Sequence, residues 1–105
     1  MKTLTIDPNE RLSINLAGRL TCLCPVNGRR DYATVQVSYV PVEAVVELES
    51  FGAFLGSFGE RTVSHEDVTV EIAEKVQEIT QADDVTVRTT WDAIEGVECV
   101  VVAHR

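Results

Sequence analysis

Lysine is scarce in this chain. Lys2 and Lys75 are the only two, and 9 basic residues face 17 acidic ones, for a formal net charge of −8. That balance excludes a broad nucleic-acid footprint, because neutralising phosphates supplies most non-specific affinity. A polynucleotide would have to meet a local basic spot. Cysteine is also sparse, and its count of 3 is odd, which argues against a disulfide framework, points to a reducing compartment and leaves a thiol free for chemistry. No apolar run approaches the roughly 20 residues that cross a bilayer. The opening MKTLTIDPNERL has no apolar signal core, so the expectation is a cytoplasmic protein with no membrane partner. Few lysines beside much Asp, Glu, Val and Thr further suggest a high-salt cytoplasm, in which surface repulsion is screened over short distances.

What is present fits one domain. With 105 residues, 45% of them hydrophobic, residues 1–105 can bury a modest core. Leu12, Ile14 and Leu16 alternate with polar residues and Leu20 to Cys24 resumes the run, so residues 11–23 read as a strand bent at Gly18. Asn27-Gly28 marks a turn, since both residues tolerate positive φ. A second strand runs from Tyr32 to Val40, with Ala33, Val35, Val37 and Tyr39 on one face. Leu48, Phe51, Leu55 and Phe58 have helical spacing and predict a short helix within 42–58. Ser64 to Asp67 has the form of a capping box, and Val68, Ile72, Val76 and Ile79 continue an amphipathic helix to about residue 80. Strands are expected at 85–91 and 97–103, joined by Asp92 to Gly96. The order ββααββ predicts an α+β fold with an antiparallel four-stranded sheet. Its exposed edges predict a homo-oligomer.

Cys24 stands where a strand hands over to a turn, ahead of a proline and near Arg29 and Arg30, whose charge would favour a thiolate. Cys22 and Cys99 lie inside strands and read as small buried hydrophobes. Asp31 can approach Cys24 across the hairpin and pass a proton, although alone it is also an ordinary turn carboxylate. Glu66 and Asp67 fall in a first helical turn, where the dipole favours acids regardless of function. His65 lacks that explanation. C-x-C followed by a single histidine does not have zinc-module spacing, so no metal is expected.

The stretch CPVNGRRDYATVQVSYVP, Cys24 to Pro41, is similar to the C-P-V-T-G-Q-P-D-[FY]-A-T motif of the QueF family. SF at 57–58, followed six residues later by HED at 65–67, is similar to its S-F-R-N and H-E-D motif. That family comprises the 7-cyano-7-deazaguanine nitrile reductases and their amidine-forming relatives. The resemblance implies a tunnelling fold, assembled as an oligomeric barrel of pentameric rings, alone or stacked as a decamer, with sites between subunits. It implies a covalent thioimide on Cys24 and proton donation by Asp31. Substrate-binding roles carry over onto Val46, Glu47, Leu48, His65 and Glu66, with Glu66 accepting hydrogen bonds from the deazaguanine edge.

The departures from the pattern choose between branches. The reductases carry E-S-K-S-x-K-x-Y ahead of S-F-R-N, and its cations are associated with NADPH. Here Glu49 and Gly52 stand in place of lysines and Gly59 in place of the arginine. The resemblance is therefore to the amidinotransferases that form archaeosine, with ammonia as nitrogen donor, no cofactor, and a substrate base held in tRNA or DNA. Arg29 and Arg30 are weaker candidates for nucleic-acid contact. Two rivals stand beside this reading: an NADPH-dependent nitrile reductase, and a non-catalytic deazapurine-binding homologue.

Overall fold

The computed structural model describes residues 1–105. Its elements are β1 (Thr3–Thr5), β2 (Ile14–Leu23), β3 (Arg30–Tyr39), β4 (Ala44–Val46), α1 (Leu48–Gly56), α2 (His65–Thr80), β5 (Thr86–Ile94) and β6 (Val97–His104). The long strands make an antiparallel sheet in the order β2-β3-β5-β6, as the alternating runs predict. The expected ββααββ order omits two short strands. β1 and β4 pair antiparallel as a separate ribbon, and three residues apiece are too few for alternation to register. Val46 N donates to the Tyr39 hydroxyl at 2.9 Å, which ties this ribbon to β3. Burial pushes the Tyr39 phenol above its ordinary range, and the Val46 bond partly opposes that.

Both helices cover one face of the sheet, α1 over β2 and α2 over β5 and β6. Ala33, Val35, Val37 and Tyr39 all point into that layer and are buried. From the helical side Phe51, Leu55, Val68, Ile72 and Val76 meet them, with Phe58 from the turn after α1. α2 begins where the capping signal places it, because Ser64 Oγ accepts the Asp67 amide at 3.1 Å and satisfies one orphan donor. The reciprocal bond of a full capping box is not made. No helix is long and apolar enough to cross a membrane.

Gly18 does not bend β2. It pairs with Val35 inside a register that runs unbroken from Ile14–Tyr39 to Leu23–Arg30. A Cβ there would meet Leu55 Cδ1 at 2.7 Å, so the missing side chain is what lets α1 lie close to the strand. The turn differs from expectation as well. Of Asn27 and Gly28 only the glycine is left-handed, at φ 73°, while Asn27 Oδ1 accepts the Arg29 amide at 3.0 Å. The side chain, in place of a second positive φ, closes the turn.

The α1–α2 connection lies along the end of β2. Leu23 N donates to Arg61 O at 2.9 Å and Val63 N to Leu23 O at 3.1 Å, so the first turn of α2 starts beside the β2–β3 hairpin. Substitution of the glycines separates packing from propensity. Gly18→Ala must displace the buried Leu55 and is expected to cost about 1–3 kcal/mol. Gly52→Ala, whose Cβ would meet open space in α1, should gain about 0.5–1 kcal/mol. Urea unfolding of both variants checks the opposite signs.

Candidate functional site

Strand parity decides where Asp31 goes. It shares the inward face of β3 with Ala33 and is 4% exposed. An ionised carboxylate withdrawn from water costs several kcal/mol unless it is paired. Asp31 has a partner on each oxygen. Its Oδ2 lies 3.1 Å from His65 Nε2 and its Oδ1 3.4 Å from Arg29 Nε. The imidazole reaches it from the first position of α2, the guanidinium from the end of the hairpin loop.

A second set of contacts holds the histidine. The Trp91 ring lies flat on the imidazole, with centroids 3.7 Å apart and planes within 6°. Its indole N–H donates to Thr89 Oγ1 at 2.9 Å. Thr89 Oγ1 is 2.6 Å from Thr69 Oγ1, which donates to the His65 carbonyl at 2.7 Å. Thr69, Thr89 and Trp91 are all buried, and the bonds among them satisfy hydroxyls that would otherwise be costly to bury. Sequence reasoning missed these three. The available signal was parity, since Val87, Thr89 and Trp91 alternate onto the inner face of β5.

Cys24 follows β2 directly and is partly exposed. Its N–H donates to Arg29 O at 2.8 Å, so it faces Arg29 across the hairpin. The residue directly opposite Asp31 is Cys22, not Cys24. Cys24 is the diagonal neighbour of Asp31, a spacing of about 7–8 Å between Cα atoms. The two residues are therefore diagonal across the ladder, where direct opposition was expected. The Val26 amide lies 3.4 Å from Cys24 Sγ and supplies a donor to the sulfur. Cys22 is fully buried. Burial foremost, then the nearby Asp31 and Cys24, pushes its thiol up to about 11, against a lowering by Arg30.

The remaining candidates are divided. Glu66 is exposed on the first turn of α2, next to His65. Val46, Glu47 and Leu48 form a separate patch where β4 meets α1. Glu47 caps that helix, its Oε2 accepting the Ser50 amide at 3.0 Å, and Leu48 is exposed. No hydrogen bond within the chain joins this patch to Asp31 or His65. Arg29 and Arg30 are not free cations. Arg29 is the partner of Asp31, and Arg30 donates to Gly59 O at 2.6 Å and to Glu60 Oε1 at 2.8 Å. A register shift between Trp91 and Ile94 leaves a cavity of about 250 Å³ between the 29–32 segment and Asp92, Ala93, Ile94 and Glu95. Asp31 borders it. No three His, Cys, Asp or Glu side chains gather as a metal ligand set.

The two thiols should separate on labelling. Raising Cys22 from 9.0 to about 11 lowers its thiolate fraction roughly 100-fold at any pH below 9. Iodoacetamide at about pH 8 should therefore modify Cys24 well before Cys22, as read by peptide mass mapping. Equal labelling of the folded protein would contradict the geometry. The sign for stability follows: unfolded Cys22 ionises first, so its contribution falls as pH rises between 9.0 and about 11.

The family model described as QueF-like protein matches residues 30–105. That span holds Asp31, the 46–48 patch, His65 and Glu66, and begins after Cys24. The chain is 38% identical over 97 residues to a protein of Syntrophobacter fumaroxidans named NADPH-dependent 7-cyano-7-deazaguanine reductase, a match over 90% of this chain and 63% of that protein. A protein of the same name from Trichormus variabilis is 34% identical over 98 residues, covering 91% of this chain and 72% of its own length. The chain thus spans less than two thirds of the first of these relatives. The crystal structure of an archaeosine synthase QueF-Like in the apo form superposes with a TM-score of 0.83 at 32% identity, over 88% of this chain and 91% of that one. The shared architecture is the tunnelling fold that the motifs imply.

Proposed function

Because this chain belongs to the QueF-like protein family, we propose that it is an amidinotransferase, converting the nitrile of 7-cyano-7-deazaguanine to a formamidine through a covalent bond to Cys24. The base is presented within tRNA or DNA. The observation that carries this reading is the buried Asp31, held between Arg29 and His65 and diagonal to an accessible thiol.

The chemistry needs no change of oxidation state. The Cys24 thiolate adds to the nitrile carbon, an S–C bond forms, one C–N π bond breaks, and the nitrogen takes a proton from the Asp31 side to give a thioimide. The hydrogen bond between Asp31 and His65 holds one proton, and that is the one the pair can pass on. Ammonia then adds to the same carbon and gives up one proton, which restores the Asp31–His65 pair, the S–C bond breaks, and the thiolate leaves with an amidine formed. Nitrile and ammonia together account for every atom of the product. Glu66, exposed beside His65, accepts the N–H groups of the purine edge. Val46, Glu47 and Leu48 complete the recess from a neighbouring subunit of a homo-oligomer, a pentamer or decamer in which residues 1–105 act as one domain.

The reductase reading is favoured by the names of the relatives just described. The residues of this chain do not fit a dinucleotide. Where the reductase pattern has cations, this chain has Glu49, which is exposed, and Gly52 and Gly59. Arg30, which donates to the Gly59 carbonyl, is paired with Glu60, and Arg61 with Glu71 at 2.9 Å. Each charge-assisted phosphate contact is worth about 1.5–3 kcal/mol, so three absent contacts amount to several decades of affinity.

Incubation with 7-cyano-7-deazaguanine, as free base and in a tRNA or DNA oligomer, should give an amidine product only when ammonium is supplied, and leave nicotinamide absorbance unchanged. Cys24→Ala should abolish product, and Asp31→Asn should slow it by about 10²–10⁴-fold. Steady oxidation of NADPH with an aminomethyl product would instead establish the reductase. Substrate binding with no conversion under either condition would identify a silent deazapurine binder.

A further inference from the structure

Trp91 is the one tryptophan of the chain, and nothing in the reaction described above uses it. It is 3% exposed, yet it is not simply packed. Its ring covers the imidazole face to face, and its N–H starts the chain of bonds through Thr89 and Thr69 that ends on the carbonyl of His65 itself. The loop closes on the residue it began with. One residue is thus fixed twice, at its ring by the stack and at its backbone by Thr69.

We propose that Trp91 is a positioning residue, which sets the plane of the His65 imidazole so that Nε2 is aimed at Asp31 Oδ2, with Thr89 and Thr69 as its anchor. This inference rests on the proposed role of Asp31. A histidine ring has a soft, nearly two-fold χ2 torsion, and one hydrogen bond does not fix its plane. Rotation of the ring about that torsion would take Nε2 off the 3.1 Å line to Asp31 while leaving the helix intact. A flat indole at 3.7 Å forbids that rotation by contact.

Two readouts test this. Emission and near-UV circular dichroism of Trp91 in the native protein, recorded at one pH, should carry the signature of the ring stacked on it at 3.7 Å, and His65→Gln should change both. The second readout is the rate of adduct formation on Cys24 with the free nitrile base, by intact mass. Trp91→Leu should slow that rate by about 10²-fold with half-saturation changed less than about threefold, while Trp91→Phe, which keeps a ring over the histidine, should recover most of it. Thr89→Val, a milder change that removes the indole's acceptor, should fall between them. Spectra identical in the wild type and His65→Gln, or a folded Trp91→Leu protein forming adduct at the native rate, would overturn the proposal. A wild type that forms no adduct with the nitrile base, free or in a tRNA or DNA oligomer, fails the proposed function instead, and the spectral comparison of wild type with His65→Gln then decides the stack by itself.

Discussion

A carboxylate placed on the buried face of a strand is the constraint from which the rest of this molecule follows. Asp31 occupies a position that parity assigns to the core, in series with Ala33, Val35 and Val37. Leaving it unpaired there would cost several kcal/mol, a large fraction of what a domain of this size has. The fold therefore has to bring partners. One comes along the chain from Arg29 and one across it from His65, and the second requires that α2 begin at the end of the β2–β3 hairpin. The backbone bonds between Leu23 and the α1–α2 connection achieve that, and Ser64 starts the helix at the right residue.

The Asp31–His65 hydrogen bond is thereby held in a defined place, on the diagonal from a partly exposed thiol. Burial acts oppositely on the two cysteines of C-x-C. Cys22, opposite Asp31 and out of water, is kept protonated. Cys24, one step beyond the strand and beside the loop amides, is reachable. Two identical side chains two residues apart thus differ chiefly through depth, with the Asp31 charge adding to the effect on Cys22. The 46–48 patch and the Asp31–His65 pair have no hydrogen bond between them within one copy of the chain.

Most of the fold was legible in the sequence because its long elements carry strong periodicity. β3 alternates without error, and α2 has both an apolar stripe and a capping serine. The β1–β4 ribbon was not legible, because it is held by backbone pairing and one tyrosine hydroxyl. Gly18 was misread for a related reason: a strand glycine signals either a bend or a close neighbour, and only the position of Leu55 distinguishes them. In the proposed site, the motifs name Cys24, Asp31, His65 and Glu66, and the structure brings two of them, Asp31 and His65, into contact. The contribution of Trp91, Thr89 and Thr69 depends on how β5 packs against α2, which no local pattern records. Arg29 and Arg30 looked like free surface charge, but the acids that engage them are Asp31, two residues along the chain, and Glu60, thirty residues away.

The central claim is that a thiol and a buried carboxylate act on one nitrile group, the thiol at carbon and the carboxylate side at nitrogen. Carbon-13 NMR of the protein mixed with base labelled at that carbon, without ammonium, addresses it most directly. The account predicts that the nitrile resonance gives way to a protein-bound imidate-type signal, fast in the native chain, slow in Asp31→Asn and absent in Cys24→Ala. A nitrile resonance that persists unchanged in the native protein at saturating concentration, or one that converts equally well without Cys24, would contradict it.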